Sequence, residues 1–156
     1  MAKEYALIVE RGYVLQLDAP DLAMERSVMW KDRPLAAFLD AAALHVAAIN
    51  EAVRGLPADR IRLHVCWGNS AGPHVMDVPL ADVLPILYQA RVGALSIEFA
   101  NPRHQHEYAA FAKHPLPASM ALIPGVIDST TNFVEHPQVV ANRLLEAVRA
   151  VGDRSR

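Results

Sequence analysis

Four short β-rich runs alternate with helix-forming stretches along this chain, and that alternation limits its fold more than any other feature. Residues 13–17 follow Gly12 and read as a strand ending at Asp18, before Pro20 stops regular pairing. Residues 21–33 read as a loop with one helical turn. From 34 to 54 the apolar residues recur at three and four: Leu35, Phe38, Leu39, Ala42, Val46, Ile49 and Val53. Asp32 and Pro34 start this helix and Gly55 stops it. A second strand is predicted over 61–66, followed by a loop marked by Gly68, Asn69, Gly72 and Pro73. A helix follows over 80–91, then a strand over 94–99. A short helix ends near Lys113, a fourth strand covers 121–126, and a last helix covers 137–151. Val140, Leu144, Leu145 and Val148 are its predicted apolar stripe.

Strand and helix in strict alternation define an α/β fold built of parallel (β/α) units. Four such units amount to half of a (β/α)8 TIM barrel. The strands read as continuous apolar runs, which predicts a sheet covered on both faces. No linker or internal repeat divides the chain, so residues 1–156 are read as one domain.

Composition excludes several classes. The net charge of −2, with both signs scattered, gives no basic stripe for nucleic acid and no polybasic patch for a membrane surface. No apolar run is read as approaching the ~20 residues that cross a bilayer, and the first residues lack the apolar centre of a signal peptide. A single cysteine, Cys66, fits a reducing, cytoplasmic setting.

In parallel α/β folds ligands bind at the carboxyl ends of the strands. Asp18, His64, Cys66, Glu98 and Asp128 all fall at or just beyond such ends. His64 and Cys66 are two apart and so share one face of their strand. With Glu98 from the next strand they are three zinc-binding residue types at neighbouring strand ends. Other readings stand beside this one. Cys66 can be a buried hydrophobe beside a hydrogen-bonded His64, or a nucleophile with His64 as base. Glu98 can pair with Arg62 or Arg103. Asp18 and Asp128 can cap turns, or hold a cationic group such as a substrate ammonium. His104 and His106 are assigned to the surface or to support of other ligands. His45 is read as packed on its helix, and His74, His114 and His136 as loop residues.

Four stretches carry a resemblance. They are Tyr13-Val14-Leu15-Gln16-Leu17-Asp18-Ala19-Pro20, Leu63-His64-Val65-Cys66-Trp67-Gly68-Asn69, Leu95-Ser96-Ile97-Glu98-Phe99-Ala100-Asn101 and Pro124-Gly125-Val126-Ile127-Asp128. In this order they resemble the C-terminal catalytic barrel of the cobalamin-independent methionine synthase family, including its zinc-dependent thiol methyl- and alkyltransferases. The resemblance implies a TIM barrel and a Zn2+ ion held by His64, Cys66 and Glu98. It implies that Asp18 lies where an amino-acid substrate is held. It also implies methyl transfer from 5-methyltetrahydrofolate to a thiol such as homocysteine, the last step of methionine biosynthesis.

The departures shape the expectation. The family's fourth zinc ligand is a second cysteine on a later strand, and its first barrel strands have no counterpart here. Ala19 stands where the methionine synthases commonly have Glu, which points to the smaller single-barrel relatives with other thiols. The expected chain is therefore part of a larger barrel. The alternatives are a homo-oligomer or a separate subunit that completes the barrel, and an open sheet. The competing functions are an alkyltransferase or lyase using another thiol such as coenzyme M, and a degenerate half-barrel without catalysis.

Overall fold

The computed structural model describes residues 1–152. Its centre is a four-stranded sheet of β1 (Leu15–Asp18), β2 (Ile61–Val65), β3 (Ala94–Glu98) and β4 (Ala121–Gly125). Every pair is parallel, and the strands lie in the order β1-β2-β3-β4. The helices are α1 (Ala2–Glu10), α2 (Glu25–Val28), α3 (Leu35–Ala52), α4 (Leu80–Leu87), α5 (Ala110–Lys113) and α6 (Pro137–Val151). This is the α/β alternation expected of successive (β/α) units.

The strand order has a direct consequence. Right-handed crossovers that always step to the next strand in one direction deliver every helix to the same face. A doubly wound sheet, by contrast, reverses its order and covers both faces. Leu15, Leu17, Ile61, Leu63, Val65, Leu95 and Ile97 point to the helices and are buried. They meet Phe38, Ala42 and Val46 of α3 and Leu80, Val83, Leu84 and Leu87 of α4 in one apolar core. Their neighbours Gln16, Asp18, Arg62, His64, Ser96 and Glu98 lie on the other face and are exposed or half-buried. The expectation of a sheet covered on both faces is thus corrected. Strands β1 to β3 alternate apolar and polar because only one face is packed, whereas β4 is apolar throughout.

Register sets the layout of the open face. Asp18 pairs with His64, His64 with Ser96, and Glu98 with Gly125. Val65 pairs with Ile97, so Cys66, one residue further, comes level with Glu98 on the adjacent strand. Neighbouring strands are about 4.8 Å apart.

Three other elements differ from expectation. Helix α1 was not read from the sequence; its Tyr5, Ile8 and Val9 pack against the core from the β1 side. Helix α6 forms where expected but turns differently. Ala147 is its buried residue, while Leu144, Leu145 and Val148 remain about half exposed. Helix α3, with 18 residues and a mean hydropathy of 1.3, is long and apolar enough to cross a membrane by those two measures, unlike the sequence reading. Here it lies against the sheet through Phe38, Ala42 and Val46.

Candidate functional site

His64, Cys66 and Glu98 line one cleft of about 230 Å³ at the carboxyl end of β2, β3 and β4, on the open face. Asn69, Ser129 and Thr130, from the loops after β2 and β4, close its rim. The Ser129 hydroxyl donates to Asn69 Oδ1 at 3.1 Å and ties those loops together.

His64 turns Nδ1 to Asp18 Oδ1 at 2.7 Å. A carboxylate there fixes Nδ1 as the N–H donor and leaves the lone pair on Nε2. Asp18 therefore serves His64, which is a different arrangement from a turn cap. Burial pushes the Cys66 thiol above its ordinary pKa; a hydrogen bond from the Gly68 backbone opposes this, and the charges of Asp18 and Glu98 add to it. Burial likewise raises Glu98, against the backbone N–H groups of Ala100 and Asn101, which donate to its Oε1. The partners considered from the sequence, Arg62 and Arg103, do not pair with it. A Cβ at Gly125 would stand 3.1 Å from Glu98 Oε2 and 3.2 Å from Glu98 Cα, so glycine leaves this carboxylate its room.

Asp128 does not line that cleft. It is 8% exposed and accepts from the Thr130 backbone N–H at 2.9 Å and from the Thr130 hydroxyl at 2.7 Å. Burial would raise its pKa, but these bonds and the charges of Arg143 and Arg103 hold it below the ordinary carboxylate value. This is the turn-capping arrangement.

The donors fit a divalent cation in type: imidazole, thiol and carboxylate are zinc ligands. They fit in charge too, because the neighbouring carboxylates disfavour a Cys66 thiolate that a cation would stabilise. A carboxylate on the second ring nitrogen, as Asp18 provides for His64, is the usual support of a metal-bound histidine. Their positions differ from a closed site. Among the described residues no three His, Cys, Asp or Glu side chains converge tightly enough to hold a metal as they stand. Glu98 is turned to its own backbone, and metal binding would require its carboxylate to swing into the cleft.

Sequence reasoning missed a second cluster beside this cleft. Asp77, in the loop between β2 and α4, holds two histidines. His74 Nδ1 lies 3.0 Å from its Oδ2, and His104 Nε2 lies 2.9 Å from the same atom. His104 is 3% exposed and stacks on Trp67 with ring centroids 3.9 Å apart. Of the two readings of His104, surface or support of other ligands, burial corrects the surface one, and His74 is a member of a network where a plain loop residue is expected. Burial lowers the pKa of His104, yet its hydrogen bond to Asp77 and the charges of Asp77 and Glu107 outweigh it, and the net shift is upward. For Asp77 burial acts upward and the two histidines outweigh it, so its pKa is lowered. The spacing of Ser70, His74 and Asp77 was visible, but nothing in one sequence brings His104 to them from 27 residues beyond Asp77. His45 is not packed as expected either; it is half exposed and lies 2.7 Å from Asp21.

Comparison with known proteins gives one distant relation. The chain is 29% identical over 133 residues to the 2-hydroxypropyl-CoM lyase of Xanthobacter autotrophicus (strain ATCC BAA-1158 / Py2). The match covers 67% of this chain and 35% of the lyase, so the chain spans about a third of the length of that relative. No family model and no solved structure matches. The class that fold and similarity support is an α/β chain of successive (β/α) units, distantly related to a lyase of a thiol conjugate.

Proposed function

We propose that this chain carries the thiol-binding part of an enzyme that makes or breaks carbon–sulfur bonds on a small thiol of the coenzyme M kind. The observation that carries the reading is the shared cleft of His64, Cys66 and Glu98 at the ends of adjacent parallel strands. The partial similarity to the 2-hydroxypropyl-CoM lyase supports this thiol over homocysteine. His64, Cys66 and Glu98 are the proposed ligands of a zinc ion, which when bound lowers the pKa of a thiol and orients the thiolate.

The chain's own residues then divide the work. Asp18 keeps the His64 ring turned so that Nε2 is the free nitrogen. Gly125 leaves Glu98 space to swing from its backbone contacts. Asn69 and Ser129 tie the two rim loops together. The remaining strands of a barrel, from a longer polypeptide or a partner subunit, would supply the rest of the enclosure.

Metal analysis and thiol turnover test the reading. The purified chain should take up one zinc, and Cys66→Ser should abolish that uptake. With 2-mercaptoethanesulfonate and an alkylating partner, thiol should be consumed and a thioether formed. Absence of zinc uptake would remove the metal from the account. Turnover confined to homocysteine and 5-methyltetrahydrofolate would replace it with methionine synthesis.

A further inference from the structure

Ser70, His74 and Asp77 form a hydrogen-bonded chain that no role assigned above uses. Ser70 Oγ lies 3.0 Å from His74 Nε2, and His74 Nδ1 lies 3.1 and 3.0 Å from the two Asp77 oxygens. Asp77 fixes Nδ1 as the donor, so Nε2 of the neutral ring accepts the Ser70 hydroxyl proton. Hydroxyl, imidazole and carboxylate in this order, each within hydrogen-bond reach of the next, activate a serine as a nucleophile. Burial is divided as that chemistry needs. The side chains of His74 and Asp77 are 7% and 8% exposed, whereas Ser70 is exposed and open to a reactant. Burial acts against the charge of Asp77, but His104 and His74 outweigh it and keep its pKa low, so it is a carboxylate at neutral pH. His74 Nε2 is also 3.2 Å from the Ser70 carbonyl oxygen, which accepts a hydrogen bond once Nε2 is protonated. That oxygen supports the imidazolium that attack by Ser70 creates.

Ser70 and His74 line a second cleft, also of about 230 Å³, with Met24, Val28, Trp67 and Pro73 as apolar walls. His64, Cys66 and Glu98 do not line it. A cleft of that size with such walls suits a short acyl chain. Asn69 lines it too. The Ser129 hydroxyl occupies Asn69 Oδ1, so the carboxamide has N–H groups left to offer a ligand. Such donors stabilise the oxyanion of acyl transfer.

We propose that the second cleft is an active site of its own, which hydrolyses esters of short-chain carboxylic acids with Ser70 as the nucleophile and His74 as its base. The proposal does not rest on the carbon–sulfur reading above. Ser70 Oγ bonds to the ester carbonyl carbon as its proton passes to His74 Nε2. The tetrahedral intermediate collapses, the C–O bond to the alcohol breaks, and the alcohol leaves with the proton from His74. Water then adds to the acyl-serine and gives its proton to His74. The bond to Ser70 Oγ breaks, and Ser70 recovers that proton. The products are a carboxylic acid and an alcohol, and nothing is oxidised or reduced. Asp77 is a positioning residue that holds the His74 ring in the accepting tautomer.

Turnover of p-nitrophenyl butyrate and labelling by phenylmethanesulfonyl fluoride test this on the purified chain. The ester should turn over with saturation kinetics. The fluoride should stop turnover and place one sulfonyl group on Ser70, located by peptide mass spectrometry. Ser70→Ala should lower turnover to the rate in buffer. In His74→Gln both turnover and labelling of Ser70 should slow on the order of 100-fold, in the range of general acid–base contributions. A merely structural role for His74 would not change the reactivity of one hydroxyl. Ser70 is exposed, so its variant reports even where His74→Gln does not fold. A chelator that strips metal from the first cleft should leave turnover at the parent rate. A parent chain that does not hydrolyse the ester, turnover that survives Ser70→Ala, labelling elsewhere than at Ser70, or turnover lost to the chelator would each overturn the assignment. Ester turnover in a chain that takes up no zinc would leave it standing and count against the metal reading alone.

Discussion

On the helix side of the sheet, Leu63, Val65 and Leu95 are fully buried among leucine, valine and phenylalanine side chains. On the opposite side, the residues between them are His64, Cys66 and Ser96, half-buried around a cleft. One strand thus contributes stability through its odd-numbered positions and chemistry through its even-numbered ones. The period-two geometry of a strand makes this separation possible without extra structure. It also means that the two faces should respond to substitution in different observables.

The largest effect is expected from the helix side. Leu95→Ala removes a fully buried side chain and leaves a cavity, which should lower unfolding stability by about 2–5 kcal/mol in urea titration. A loss well under this range would mean that the helix face is not the dry core described.

An intermediate effect belongs to the buried Asp77–His104 pair at the boundary between the two faces. The pKa of His104 is raised in the fold, so its contribution is complete below its ordinary value of 6.5 and is lost as pH rises through the raised one. The pKa of Asp77 is lowered, so its contribution is complete above its ordinary value of 3.8 and is lost as pH falls through the lowered one. The pair should therefore stabilise most between pH 3.8 and 6.5. The urea midpoint should fall as pH rises above that window. In Asp77→Asn that slope should flatten; an unchanged slope would remove the pair as its cause.

The smallest structural effect is expected on the open face. Cys66→Ser should change stability by no more than about 1 kcal/mol, since the residue is half exposed and its replacement nearly the same size. Zinc uptake should nonetheless be abolished in the same sample. Destabilisation comparable to Leu95→Ala would show that Cys66 belongs to the core, as the plain buried-cysteine reading holds.

Much of the fold was legible in sequence because it is local. The helix predicted over 34–54 appears as Leu35–Ala52, since an apolar stripe at three and four with Pro34 and Gly55 at its ends leaves few alternatives. The strand ends were legible too, and with them the set Asp18, His64, Cys66 and Glu98. The strand alternation is hard to see in sequence, because each strand is only four or five residues long and Leu15-Gln16-Leu17-Asp18 follows directly on Tyr13 and Val14. The stripe of α6 is hard to place as well: periodicity finds an apolar face but does not say which of two overlapping faces meets the core.

By itself, then, the sequence determined the alternation of strand and helix and placed three potential metal ligands at strand ends, because backbone periodicity and turn chemistry are properties of neighbouring residues. Only the tertiary structure decided that one sheet face stays open, that Asp18 turns the His64 ring, and that His104 reaches Asp77 beneath Trp67. Each of these depends on crossover direction and strand register. Those bring together residues tens of positions apart, and no local pattern encodes their meeting.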